Sequence, residues 1–264
     1  MRLDFGKWIA VFCGLAIAGA AAAQEEPKDP ATMRLDPRAV EVVEAAASTL
    51  ASQETIGVNW FVSFDQVIDG REKLTILRSG RAVVARPDKY YAYAEQEEGL
   101  REFFYDGLGL TVFLPDENAY AHKPYLGSFE DLADVILQEH GESLPIWQVL
   151  VSDFADEFLG DVTDAAYLGV KRIAGNEVHH VALSSYEGDL QMWISTDPVN
   201  PVPMLLVGTN PYAQGWPQFR AYFNDWDFAP DIGDDTFTFY ADDEVNRLVW
   251  PKQQDRGDAI GGGN

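Results

Sequence analysis

This sequence predicts a mainly β fold of the α+β class: one continuous curved antiparallel sheet with a helical cover. Three observations carry that expectation. Apolar side chains recur at every second residue through most of the chain. The segments between those runs are a few residues of Gly, Pro, Asp and Asn, too short for the crossover helix of a parallel sheet. Helical periodicity replaces the two-residue period near the N-terminus and again between residues 128 and 160.

The chain opens with Met-Arg-Leu-Asp-Phe-Gly-Lys, continues as the apolar run Trp8 to Ala20, and ends that run at Ala21-Ala22-Ala23 before a charged stretch. This order is expected of a secretory signal peptide, residues 1–23, cleaved after Ala23. A retained anchor is the alternative, but the run is short for a span and ends in small residues. Lipidation would need Cys13, which follows Phe12 where a small residue is normal. Cys13 is the only cysteine, so a chain cleaved after Ala23 forms no disulfide. Export to the periplasm is compatible with that composition.

With 19 Lys and Arg against 43 Asp and Glu, the formal net charge is −24. Loss of Arg2, Lys7 and Asp4 with the leader would make it −25. Such a surface repels phosphate backbones, which excludes nucleic acid as an expected partner. Solubility explains the charge most simply, and selection of a basic protein partner is the functional alternative. A 47% apolar and 12% aromatic composition supplies a sizeable core.

Residues 24–35 read as a linker, residues 36–250 as a single domain, and the Gly-rich residues 251–264 as a flexible tail. Asp36 and Pro37 suit the N-cap and first position of a helix whose stripe is Val40, Val43, Ala47 and Leu50. From Ile56 the period is two: Val58, Trp60, Val62 and Phe64 share one face, Asn59, Ser63 and Asp65 the other, with a turn at Asp69-Gly70. Further strands are expected at 72–78, 81–86, 89–95, 101–106, 110–114 and 118–123, with turns at Ser79-Gly80, Asp106-Gly107 and 115–118. A helical insertion follows. Ser128 with Asp131 resembles a capping box, Leu132, Val135 and Ile136 form its stripe, Gly141 ends it, and Pro145 suits the start of a second helix. Strands resume at 165–173, over 176–196 as a hairpin turning at Glu187-Gly188, and at 202–209, 216–228 and 237–240.

The chemistry on offer is sparse. His179 and His180 are adjacent on a strand, so they leave on opposite faces and do not chelate one ion; hydrogen-bonded structural roles suit them better. The acidic clusters around residues 225–244 lack the spacing of a calcium loop and read as solvated turns. There is no Gly-x-Ser-x-Gly elbow and no Gly-rich phosphate loop. No catalytic residue, metal ligand or cofactor is assigned. The unusual feature is a supply of large apolar side chains at period two, which either complete a packed core with the helices or line a cavity for an apolar ligand.

Longer stretches carry a resemblance. "FFYDGLGLTVFLPDENAYAHKP", "LPIWQVLVSD", "AYLGVKRIAGNEVHHVAL", "GDLQMWI", "VPMLLVGT" and "PQFRAYFNDWDF…FTFY" are similar in order and spacing to the DUF2092 family of predicted periplasmic proteins. Landmarks include Arg86-Pro87-Asp88, Tyr105-Asp106-Gly107, Leu144-Pro145, Gly169, His179-His180, Trp193-Ile194, Pro217-Gln218 and Phe237-Thr238-Phe239. The similarity runs from about Pro37 to Trp250, with departures at Leu190, where the family commonly has Trp, and at Tyr240-Ala241, where it often has Pro-Pro. That family is grouped by fold with the lipoprotein carrier LolA, its receptor LolB and mycobacterial lipid-binding lipoproteins. The resemblance implies a strongly curved, incomplete LolA-like barrel whose apolar mouth is closed by helices, and binding rather than turnover.

The expected function is therefore that of a periplasmic carrier or sensor for a lipid, acyl chain or lipoprotein-like apolar ligand, with no membrane span left after cleavage. Its expected contacts are Trp60, Val62, Phe64, Ile76, Tyr91, Tyr93, Val181, Leu183, Met192, Ile194, Met204, Leu206 and Phe219. A protein-interaction module with an acidic docking face and no small ligand is the alternative. A hydrolase built on paired carboxylates is a third reading, which would require two acids of raised pKa in a deep polar pocket.

Overall fold

The computed structural model describes residues 34–68, 72–140 and 143–250. The expected signal peptide and its cleavage site, the linker up to residue 33, the turn at Asp69-Gly70, the helix end at Gly141 and the tail from residue 251 lie outside the described residues.

A two-residue strand β1 (Arg34–Leu35) leads into helix α1 (Pro37–Ala51). Asp36 caps that helix by accepting from the Arg38 N–H at 2.9 Å, and its second carboxylate oxygen accepts from the Tyr167 N–H at 3.1 Å. The cap therefore fastens the helix to the sheet as well as starting it. Six strands follow as one antiparallel meander: β2 (Thr55–Ile68), β3 (Glu72–Ala85), β4 (Lys89–Gln96), β5 (Gly99–Tyr105), β6 (Gly109–Leu114) and β7 (Ala119–Pro124). The helical insertion comes next, as α2 (Phe129–His140), a 3-10 turn at Trp147–Val149, and α3 (Phe154–Leu159). A second antiparallel series follows: β8 (Val162–Ile173), β9 (Asn176–Ser185), β10 (Asp189–Ser195), β11 (Pro203–Thr209) and β12 (Gln218–Asp227), with β13 (Asn246–Leu248) near the end.

β12 pairs with β2 and joins the two series into one 13-stranded sheet, in the order β1-β8-β9-β10-β11-β12-β2-β3-β4-β5-β6-β7-β13. The sheet is curved but not closed. Its two outermost pairs, β1 on β8 and β13 on β7, are parallel additions to antiparallel edges.

Three local expectations are corrected. Ser79-Gly80 is no turn: β3 runs straight through it to match the 14 residues of β2. The glycine is there because the Trp60 ring lies on it, and a Cβ at residue 80 would stand 1.9 Å from the Tyr93 carbonyl oxygen and 2.8 Å from the indole. Pro145 does not open a helix, since Ile146 adopts φ 47° and only one 3-10 turn follows before α3. Residues 237–240 form no strand. They cross the outer face of β5 to β7, where Phe239 packs against Phe104, Phe113 and Tyr120 at centroid distances of 5.6, 4.8 and 5.2 Å.

Register settles which side is which. On β2, Ile56, Val58, Trp60, Val62 and Phe64 all point to the core, and pairing carries that face across the sheet to Ala82, Val84, Tyr90, Ala92 and Leu110 in one direction and Phe219, Leu206, Met192, Val181 and Leu183 in the other. Against this inner face lie Val43, Ala46 and Leu50 of α1, Phe129, Leu132 and Ile136 of α2, and Phe154 and Phe158 of α3. Each aromatic ring buried there removes an apolar area worth about 2 kcal/mol or more from water, which makes the cover an integral part of the fold.

Candidate functional site

Of the expected contacts, Trp60, Val62, Phe64, Val181, Leu183, Met192, Ile194, Leu206 and Phe219 share the inner face and are almost fully buried, none more than 4% exposed. Ile76 and Met204 join them half-buried at the margin of the core. Tyr91 and Tyr93 do not. Register pairs Tyr91 with Val83 and Tyr93 with Arg81, on the outer face, where the Tyr91 hydroxyl donates to Glu102 at 2.8 Å and its ring meets Phe104. The aromatic alternation in "KYYAYAE" is legible without its phase; Tyr90, not Tyr91, is the inward ring, stacked on Phe129 at 4.7 Å.

The centre of the hollow is thus filled by side chains of α1, α2 and α3. Sequence reasoning did not identify what holds this cover down. Arg86, at the end of β3, donates to Glu130 of α2 at 2.6 Å, to the Leu150 carbonyl at 2.6 Å and to the Gln53 carbonyl at 3.2 Å. Glu130 in turn accepts from the Ser152 N–H and hydroxyl at 2.7 and 2.9 Å. Burial lowers the Arg86 pKa, and Glu130 acts in the opposite sense. Two buried tyrosines add anchors, the Tyr90 hydroxyl donating to the Pro145 carbonyl at 2.8 Å and the Tyr105 hydroxyl to that of Gly127 at 2.7 Å. Burial pushes the Tyr105 pKa up to about 12, so it stays a donor. All these fastenings gather where β3 ends and β4 begins.

Away from that end the cover stops short. Ile76, Phe103, Val112 and Leu114 on the inner face are half-buried, and Leu74 beside them is 47% exposed. Arg78, Gln96 and Arg101 stand among them, by register on the same face as Val62 and Ala94. The inner face is therefore sealed at one end and incompletely covered at the other, where apolar side chains alternate with Arg78, Gln96 and Arg101.

The two neighbouring histidines part as strand geometry requires. His179 faces inward, its Nδ1 2.8 Å from the Tyr167 hydroxyl, while His180 lies on the outer face, stacked on Trp193 at 4.2 Å with its Nε2 3.0 Å from Gln191. Burial lowers both pKa values. Among the described residues no group of three His, Cys, Asp or Glu is placed to hold a metal ion. The hydrolase reading asked for a pair of raised-pKa acids; of the carboxylates with a resolved shift, Asp153 is raised, chiefly by burial, while Glu139 and Asp197 are lowered.

A curved, unclosed antiparallel sheet with a helical cover over one apolar face is a scaffold of the half-barrel class. Residues 39–247 match the model of DUF2092, described as a predicted periplasmic protein, and the chain belongs to that family. The family is periplasmic, and among the described residues no helix is long and apolar enough to cross a membrane. No curated protein matches the chain. Among solved structures it is similar to LprF from Mycobacterium bovis (12% identity, 75% of this chain and 96% of that one, TM-score 0.45). It is also similar to lipoprotein LppX from Mycobacterium tuberculosis (15% identity, 75% and 100%, TM-score 0.45) and to a LolA superfamily protein from Nitrosomonas europaea (13% identity, 76% and 97%, TM-score 0.36).

Proposed function

We propose that this protein is a periplasmic carrier or sensor that holds an acyl chain or a comparably apolar ligand against the inner face of its half-barrel. The observation that carries the reading is the mismatch between sheet and cover: the inner-face side chains of Leu74, Ile76, Phe103, Val112 and Leu114 are left half-buried or exposed where those of Trp60 and Phe64 are buried. An acyl chain laid there gains about 25 cal/mol for each Å² of apolar surface it removes from water. A longer chain would displace the margin of the cover, which pivots on the Arg86 end. The thirteen contacts named above reduce in this reading to the eleven on the inner face, with Ile76 reached first and the nine buried residues reached as the cover lifts.

The test is direct. Protein purified from its own periplasm without detergent is extracted with organic solvent and the extract analysed by mass spectrometry, in parallel with displacement of a fluorescent fatty acid. A bound lipid, together with weakened probe binding by Ile76→Asp, supports the reading; repeated empty extracts and no probe response would overturn it. Salt-sensitive co-purification of a single basic protein in place of a lipid would favour the docking alternative.

A further inference from the structure

We infer that the open end of the inner face is a recognition notch for the anionic head, carboxylate or phosphate, of an amphiphile whose chain lies on the neighbouring apolar surface. The inference rests on the proposed apolar site and specifies its ligand.

The notch is built by register. Trp60, Gly80, Ala94 and Arg101 form one row across β2, β3, β4 and β5, and Val62, Arg78, Gln96 and Gly99 form the next. Glycine and alanine in the middle of the first row leave a low floor, and the Trp60 ring spreads over Gly80 to occupy part of it. Several donors stand around this floor, with the Asp116 carboxylate at its Gly99 corner already accepting from the Leu100 N–H at 3.0 Å. The Trp60 side chain is 4% exposed, and its Nε1–H is buried with no hydrogen-bond partner. The Gln96 Nε2 is in the same condition. Arg101 makes no ion pair or side-chain hydrogen bond with any described residue, and the Arg78 guanidinium lies 5.1 Å from the Phe64 ring centroid. A buried donor left unmatched costs free energy that an acceptor would recover, and donors set along two adjacent rows suit an acceptor with more than one lone pair.

Charge sharpens the point. In a chain with 43 acidic residues and only 19 basic ones, two arginines share one patch of an apolar face. Arginine matches a carboxylate or phosphate through its planar fork, and the low surroundings of a half-buried site strengthen that contact relative to open water. By register Ile76 lies one row beyond the notch on one side and Phe103 and Val112 one row beyond it on the other, so apolar surface that a tail could cover adjoins the head site.

Three probes of equal chain length separate head from tail: a saturated fatty acid, the alkyl phosphate and the alcohol, each competing with a fluorescent fatty acid for the full-length mature protein. The acid and the phosphate are expected to bind about tenfold more tightly than the alcohol. Arg101→Met should erase that preference and leave alcohol binding unchanged, while Trp60→Phe, which keeps the ring and removes the N–H, should reduce it by about threefold. Stronger binding of either anion identifies which head the notch takes. Equal binding of all three by the wild type, or equal weakening of all three by Arg101→Met with unaltered thermal stability, would overturn the notch while leaving the apolar site standing. Failure of all three to bind would overturn both.

Discussion

At the scale of single residues, the sheet is organised by aromatic rings laid on glycines of the next strand. Trp60 sits on its cross-strand partner Gly80 and Phe219 on Gly208, where an added Cβ would come within 2.0 Å of the ring. Gly80→Ala cannot be absorbed by a rotamer change, because the nearer obstacle is the Tyr93 backbone carbonyl. It should destabilise the protein by about 3 kcal/mol in urea denaturation, and a loss under about 1 kcal/mol would contradict the close packing described. The two histidines predict a pH effect. Burial holds both below 6.5, so the unfolded chain binds protons that the folded one does not. Their contribution to stability is complete above that value and is lost as pH falls through it towards the lowered folded pKa values. Equilibrium denaturation between pH about 7.5 and about 5.5 should show this loss, and His180→Phe, which keeps the stack on Trp193, should reduce the slope.

At the scale of elements, the cover is the part with a definable fastening. Ser128 caps α2 as its spacing suggests, its hydroxyl accepting from the Asp131 N–H at 3.0 Å and donating to that carboxylate at 2.7 Å. The firmer tie is Arg86, which reaches α2, the segment after the 3-10 turn and the end of α1 at once. Arg86→Met leaves Glu130 without its cation and two carbonyls without a donor. Since a third of the Glu130 side chain remains in water, a cost of about 2 kcal/mol is expected, below that of a fully buried pair. Hydrogen exchange should localise the effect: residues 129–159 are expected to exchange faster while β9 and β10 keep their protection. Uniform acceleration throughout the sheet would show that cover and sheet open as one unit.

At the scale of the whole molecule, a net charge of −24 on the chain is a source of self-repulsion that the compact state feels more than the unfolded chain. Among the described residues, some of the ion pairs that offset it are exposed and so contribute little, such as Arg38 with Glu41 and Arg172 with Glu177. Sodium chloride should therefore raise the thermal midpoint by several degrees between about 10 and about 200 mM, with sucrose at matched osmolality as the control. A midpoint indifferent to salt would mean that local pairs already balance the charge.

Much of this architecture was readable from side-chain periodicity. The strands of both series, the Asp36 and Ser128 caps, the helical insertion and the separation of His179 from His180 follow from patterns that depend on neighbours along the chain. What periodicity lacks is phase and partner. It shows that Tyr91 and Tyr93 alternate with Tyr90, Ala92 and Ala94 but not which set faces inward, because that is set by pairing with Ala82 and Val84 on β3. It marks Gly80 as a break, although the residue serves a ring twenty positions earlier. Neither the Arg86 clasp nor the row from Trp60 to Arg101 leaves a local trace, since each joins residues from three or more elements. The chain alone determined a greasy sheet with a helical lid; only the tertiary structure decided how far the lid reaches, because coverage depends on where distant segments meet.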